Sequence, residues 1–461
     1  MAAAALTPID LEPFLLDPRS PAAQAACDAL ADTLVATSAL VVRDPRVSSA
    51  QNDTFLSLLE RYYAQPRAAT AADERPEVHF QVGVTPEGTE VPLCAGVGPR
   101  PTWCAAKLAQ LAPAARPAEA QGADLKWRFF WRVSDAAIVS DGGVGDVGSV
   151  SRGGGVGDAG MATAALPVVS GGAGVMPRNG GGDAPDDGGG QLDALHAPQV
   201  VPAAFAAEWE RALDAWGHAL LRTAYTVARM AAIGLGLPEG ALTSAMAGGP
   251  HLLAPTGSDL GKHRALGTVL AGWHRDLNLI TLHGRSRFPG LEIWLRDGTK
   301  LAPTVPDGHV LIQAGLQLEW LTNGLVQAGM HQVTVTEATR AAVARAELTA
   351  AEATRAAAAG APAARGAPGA AGEPAPLAGA DSAAGASVPH LWRVSSTLFA
   401  HSNSAATLRP LLTAAPERMA RAAGEAGVQT PAVAEPGAYP PVLAGEQVLA
   451  ELRGIALARS H

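Results

Sequence analysis

No stretch of the 461-residue chain holds about 18 or more bulky apolar residues in succession, so it offers no candidate for a bilayer-crossing helix. Aromatic residues make up only 5 % of it, and cysteine is limited to Cys27, Cys94 and Cys104. Three cysteines, an odd number with no CxxC pair, predict a reducing compartment and neither a disulfide framework nor a zinc site. The first residues, MAAAALTPIDLEPFLL, lack a basic segment and carry Asp10 and Glu12, which reads as neither a signal nor a transit peptide. The expectation is a cytoplasmic protein with no membrane partner. A formal net charge of -9 leaves no basic surplus for a nucleic-acid partner.

What the chain has in excess is small residues, including 51 Gly and 35 Pro. They concentrate in two stretches. Residues 136–200 are Gly-rich and bury too little apolar surface to offset the entropy of ordering them, so they read as a flexible insert. Residues 338–388 are Ala-rich. Their first half, EATRAAVARAELTAAEATRAAAA, has strong helix propensity and predicts an exposed helix. Their second half is broken by Pro and Gly and reads as a linker. Setting both aside leaves a length suited to one large domain: residues 1–135, a long helix in 201–250, a strand-rich core in 251–337, and a last core strand with a tail in 389–461.

Apolar periodicity predicts helices over 21–39, 48–66 and 203–237. In the last, Trp209, Leu213, Trp216 and Leu220 recur on one face. ALVVRDP (39–45) reads as a short strand. From 251 onward the texture is that of short strands between turn residues: GTVLAGWHRDLNLITLHG, GLEIWLRDG, HVLIQAGLQLEWLTNG, MHQVTVTE and LWRVSSTLFAH. That pattern predicts an α+β chain with a mainly β core, a sandwich or jelly roll, covered on one face by the N-terminal helices.

The sharpest constellation is His274-Arg275-Asp276 with His331. Residues two apart on a strand share a face, so His274 and Asp276 can reach one point, and a later strand can bring His331 to it. Two imidazoles and a carboxylate on one face of an octahedron form the facial arrangement of non-haem Fe(II) oxygenases. With 12 His in the chain, an isolated HxD arises by chance about as often as not. Context lifts it: the motif opens a β run, His331 follows 55 residues after Asp276, and Arg393 and Ser395 share a face on a later strand. A guanidinium fork beside a hydroxyl suits the far carboxylate of a dicarboxylic co-substrate.

The segments WHRDLNLITLHGRSRFPGLEIWLRDG, VLIQAGLQLEWLTNG, MHQV and WRVSSTLFAH together resemble the isopenicillin-N-synthase-like branch of Fe(II)/2-oxoglutarate-dependent dioxygenases. PIDLEPFL followed by a helix and ALVVRDP is similar to that family's N-terminal region. The resemblance implies a double-stranded β-helix (jelly roll) with flanking helices and two low-complexity inserts. It implies catalytic iron on His274, Asp276 and His331, 2-oxoglutarate on Arg393 and Ser395, O₂ as oxidant and a small-molecule substrate. Arg340 lies at the family's usual distance from the distal His but in a helix-forming run, so Arg393 is the expected partner. The family's Asn-x-Tyr is replaced here by HLLAPTGSDL (251–260), and Leu316 stands where many relatives have Asp. A 2-oxoglutarate-independent iron oxidase and a non-catalytic binding module on the same fold are the alternatives.

Three weaker features complete the reading. His283 is expected to be structural or at the rim of the cavity. Lys126-Trp127-Arg128-Phe129-Phe130-Trp131-Arg132 is expected to be an ordinary strand with Trp127, Phe129 and Trp131 on one buried face. The other use of that run is a cavity wall with a cationic clamp. Residues 79–84 read as a further β run, and Cys94 and Cys104 have no expected chemical role.

Overall fold

A computed structural model describes residues 6–94, 100–140, 197–358, 391–426 and 432–454. Most of the Gly-rich stretch and the Pro/Gly-broken half of the Ala-rich one lie outside the described residues. The other half of the latter forms the helix Glu337–Ala358, exposed along most of its length, with Ala342 and Val343 buried against the core.

The large sheet has ten strands. Along its path run β1 (Ile9–Asp10), β2 (Ala39–Arg43), β11 (His309–Ala314), β8 (Ile280–His283), β14 (Thr397–Ala400), β5 (Leu252–Leu253), β4 (Trp127–Arg132), β6 (Thr256–Asp259) and β13 (Trp392–Val394), with β3 (Gly83–Thr85) beside β4. All its pairings are antiparallel except β1 with β2. A smaller antiparallel sheet is ordered β10 (Lys300–Leu301), β9 (Leu291–Trp294), β12 (Met330–Thr334) and β7 (Val269–Arg275). The two sheets approach each other where the His331 ring of β12 lies 5.8 Å from the His283 ring of β8.

Helices Pro21–Thr37, Ser49–Tyr63 and Trp209–Gly234 cover the outer face of the large sheet, as the periodicity predicts. Trp209 packs 4.8 Å from Phe129 of β4 and 4.9 Å from Tyr62, all three without solvent contact. Helices over sheet thus form one continuous core, reaching from Leu11 to Ala444.

Three expectations are corrected. GLQLEWL does not continue strand β11 but turns at Gly315 into the helix Leu316–Leu321. Its apolar residues alternate, so a period of two fitted as well as a helical one over so short a run. The choice is made by Leu316 and Gln317, whose N–H groups donate to the Asp276 and Asn278 carbonyls at 2.9 and 3.1 Å. Residues 79–84 are mostly turn, because His79 and Phe80 adopt left-handed φ of 54° and 55°, and the strand starts only at Gly83. Cys94 and Cys104 form a disulfide, with Cα atoms 5.9 Å apart and the two residues ten positions apart in sequence. The bridge joins two segments that fold back on each other, and it removes the cysteine argument for a reducing compartment. Cys27 remains free and buried. Among the described residues, no helix is long and apolar enough to cross a membrane.

Close helix packing sets the sign of one substitution. A Cβ at Gly234 would lie 2.2 Å from the Cys27 carbonyl oxygen and 2.7 Å from Ala31 Cβ, on the neighbouring helix Pro21–Thr37. Propensity alone favours Ala over Gly in a helix by about 1 kcal/mol. Gly234→Ala is nevertheless expected to destabilise the protein by about 1–3 kcal/mol through overpacking, read as a lower midpoint in chemical denaturation.

Candidate active site

The register between β7 and β12 creates the centre. Met330 pairs with Arg275 and His331 with His274, so the two imidazoles project from directly opposed positions and their ring centres sit 4.2 Å apart. Asp276 follows at the end of β7. Its Oδ1 lies 3.7 Å from His274 Nε2 and 3.8 Å from His331 Nε2, and one ligand atom from each residue falls within 4.8 Å of the others. These separations are too long for hydrogen bonds. They are the spacing of donors that converge on one cation.

Surrounding groups leave the donor atoms free. His274 Nδ1 donates to the Gly272 carbonyl at 2.6 Å, which places the ring proton on Nδ1 and a lone pair on Nε2. The Thr281 hydroxyl donates to Asp276 Oδ2 at 2.5 Å, leaving Oδ1 toward the imidazoles. Among the described residues, buried His331 Nδ1 has no hydrogen-bond partner. Burial, then the neighbouring His331, pulls the His274 imidazole down to about 3, so it is neutral and its Nε2 lone pair is not taken by a proton. Burial would raise the Asp276 carboxyl, but His331, His274 and the Thr281 hydroxyl outweigh it and hold it below its ordinary value. A deprotonated N₂O donor set facing one point, with Asp276 and His331 buried and His274 partly so, fits a divalent cation.

The cavity has two lobes, with Lys126, Arg128, His274, Asp276 and Phe399 common to both. One, of about 380 Å³, is bordered by His283, His331, Arg393, Ser395 and Thr397. Arg393, Ser395 and Thr397 alternate along one extended segment and face the lobe together, as a period of two requires. The buried Arg393 side chain donates from Nε to the Pro289 carbonyl at 3.2 Å, and no carboxylate pairs with it among the described residues. Burial draws it down to about 10. Ser395 Oγ accepts from Thr256 N at 3.0 Å and from Thr397 Oγ1 at 3.1 Å.

Arg340, the other candidate, is on the surface of helix Glu337–Ala358, 3.6 Å from Glu337. His283 is more central than expected: it lines this lobe, with Nε2 3.1 Å from Gln313 Oε1. Burial and His331 bring its imidazole down to about 4.

The second lobe lies against β4, where the run of alternating cations and aromatics divides. Phe129 and Trp131 are in the helix-facing core, with Trp127 packed against it, while Lys126, Arg128 and Phe130 line the cavity. The expected buried face is present, and the opposite face borders the cavity with its cations paired to carboxylates. Sequence reasoning missed the groups that answer those cations, Glu90 and Asp124, as well as His401 and Thr281. None of these carries a motif, and only Thr281, on the strand after the HxD, had a positional hint.

No family model matches the chain, and neither does any curated protein. Solved structures do. A protein from Caulobacter crescentus assigned to the 2OG-Fe(II) oxygenase family is 17 % identical with a TM-score of 0.56, over 98 % of this chain and 99 % of that one. Full-length T7H from Neurospora crassa, in complex with alpha-KG, is 12 % identical with a TM-score of 0.55, over 97 % and 96 %. JOX2, in complex with 2OG, Fe and JA, is 12 % identical with a TM-score of 0.51, over 98 % and 86 %. At these identities the likeness is one of fold, and the fold is that of 2OG-Fe(II) oxygenases.

Two outcomes follow from the geometry. Thr281→Val removes the hydroxyl that orients Asp276 and is expected to weaken Mn(II) or Co(II) binding by roughly 10- to 100-fold, measured by competition with a chelator. A second concerns Asp135, behind the cavity, which accepts from the Tyr225 hydroxyl at 2.5 Å and Gly248 N at 2.8 Å and faces His251 Nε2 at 3.4 Å. Burial opposes its charge, yet these partners lower its carboxyl from 3.8 to about 2. A depressed carboxylate stabilises the fold above its unfolded value and ceases to do so as pH falls through the folded one. Asp135→Asn is therefore expected to cost about 1–3 kcal/mol at neutral pH. The gap to the parent should close between about pH 4 and pH 2 in pH-dependent denaturation.

Proposed function

We propose that the chain is a non-haem Fe(II) oxygenase on a jelly-roll core, coupling decarboxylation of 2-oxoglutarate to hydroxylation or desaturation of a small molecule. One juxtaposition carries the reading: three convergent donors, His274, Asp276 and His331, open onto a cavity that also holds a buried arginine without a counter-ion. Bound there, Fe(II) would supply the redox chemistry, converting 2-oxoglutarate and O₂ to succinate and CO₂ while the substrate is oxidised.

The chain's own residues do the positioning. His274 and His331 donate through Nε2 and Asp276 through Oδ1, and the remaining coordination positions are left toward the cavity. Gly272 and Thr281 hold the first imidazole and the carboxylate in the orientation that coordination needs. Arg393 offers a planar fork to the far carboxylate of 2-oxoglutarate, and the Ser395 hydroxyl lies on the same face. That carboxylate neutralises a cation whose burial is otherwise uncompensated. Burial of Asp276 and His331 limits bulk water at the site, while the His274 ring stays partly open.

An iron oxidase that draws all its electrons from the substrate would use the same triad but leave Arg393 unpaired. A binding module would need neither. The unpaired guanidinium favours the 2-oxoglutarate reading over both, and the solved relatives in complex with alpha-KG or with 2OG and Fe support it.

Anaerobic titration of the Fe(II)-loaded protein with 2-oxoglutarate is expected to give a visible charge-transfer band, and admission of O₂ to give succinate. Arg393→Met should leave Fe(II) binding intact and weaken 2-oxoglutarate by roughly 10- to 100-fold, about 1.4–2.8 kcal/mol. Absence of both band and succinate would rule the reading out.

A further inference from the structure

The two lobes differ in how their charges are answered. In the first, Arg393 has no carboxylate partner among the described residues, and Lys126 and Arg128 border both lobes. In the second, every lining cation already has carboxylate partners. Lys126 Nζ lies 3.0 Å from Glu90 and also bonds Asp124, while Arg128 pairs with the same Glu90. Two cations and two carboxylates cancel. Arg275 stands between Glu319 at 3.9 Å and Glu451 at 3.8 Å, with its guanidinium 4.0 Å from the centre of the Trp103 ring. None of these seven charged side chains is more than 20 % exposed. A ligand carboxylate entering here would lose its hydration and find no cation free to receive it.

The rest of this lobe is mainly apolar, with Trp103, Phe130, Leu252 and Phe399 among its walls and Gln81 and Asn278 as further polar members. One polar group stands out. His401, 7 % exposed, lines the lobe, and neither of its ring nitrogens has a hydrogen-bond partner among the described residues. Its backbone N–H donates to His251 Nδ1 at 3.1 Å, which ties its place to the Asp135–Tyr225 pair behind it. Burial, with His251 beside it, lowers this imidazole to about 3, so it offers one neutral donor and one neutral acceptor.

We propose that this lobe takes an uncharged, mainly apolar small molecule with one hydrogen-bonding group, which meets the His401 imidazole while the rest lies among Trp103, Phe130 and Phe399. As a statement about the substrate this rests on the oxygenase reading; as a statement about the lobe it is tested without metal. His401 is then a specificity-determining residue, and the Glu90–Lys126–Asp124–Arg128 cluster selects against charge by being complete.

The experiment uses the metal-free full chain and two probes with one ring system, 2-naphthylmethanol and 2-naphthoate, followed by calorimetric titration. The neutral probe is expected to bind at least about ten-fold more tightly, the equivalent of one buried hydrogen bond or more. Any naphthoate binding should vanish in Arg393→Met, which removes the unpaired cation of the other lobe, while naphthylmethanol binding persists. His401→Leu should weaken naphthylmethanol by about ten-fold, and His401→Gln, which keeps a donor and an acceptor, should restore most of it. Glu90→Gln, which leaves the cluster with an excess of positive charge, should admit naphthoate even in the Arg393→Met background. Naphthoate binding as tight as naphthylmethanol in Arg393→Met would overturn the proposal, as would binding of neither probe to the parent chain. Since no metal enters these titrations, the outcomes are separable. Selectivity without Fe(II) or 2-oxoglutarate binding would keep the neutral pocket and sink the oxygenase reading. Iron and 2-oxoglutarate binding without selectivity would do the reverse.

Discussion

The antiparallel pairing of β7 with β12 is the constraint on which the site depends. It sets His331 opposite His274 and leaves Asp276 at the strand end, within 4 Å of both. A one-residue slip would turn every side chain of one strand to the other face and separate the imidazoles. The register is held from both sides. β12 pairs also with β9, and the chain leaving β7 is fixed where the Leu316 and Gln317 N–H groups bond the Asp276 and Asn278 carbonyls. The short helix Leu316–Leu321 is thus part of what holds the third ligand in place.

Around this centre, electrostatics divides one cavity into two environments. Arg393 is buried without a carboxylate, a costly arrangement that persists where a ligand supplies the missing charge. Lys126 and Arg128, equally enclosed, are neutralised within the protein by Glu90 and Asp124. Lys126 and Arg128 border both lobes, and the feature particular to the first is the unanswered Arg393 among the described residues. An enzyme that must bind an acidic co-substrate and a different substrate at one metal has use for such a division, because each ligand is disfavoured in the other's place.

The helical layer supports the cavity from behind. β4 presents Phe129 and Trp131 to Trp209 and its neighbours while turning Lys126, Arg128 and Phe130 to the cavity. Packing on one face thereby fixes the strand whose other face carries the charges. The Asp135–Tyr225–His251 contacts similarly link the long helix to His401.

Much of this was legible in the sequence, because its signals are local. The period of two placed His274 with Asp276 and Arg393 with Ser395. The 3.6 period marked the helix carrying Trp209 and Trp216, and strong propensity marked the exposed helix from Glu337. Where two periods fit one short run, as in LQLEWL, or where left-handed residues interrupt an apolar one, as at His79 and Phe80, local pattern could not decide. Nor could it pair Cys94 with Cys104, since the approach of their segments is a property of the folded chain. By itself, then, the sequence determined which side chains share a face, His274 with Asp276 and Arg393 with Ser395. Only the tertiary structure decided which charges meet: that Glu90 and Asp124 answer Lys126 and Arg128, that nothing answers Arg393, and that His401 reaches the cavity unpartnered. Those pairings join strands and loops far apart along the chain, and contact between distant segments leaves no periodicity to read.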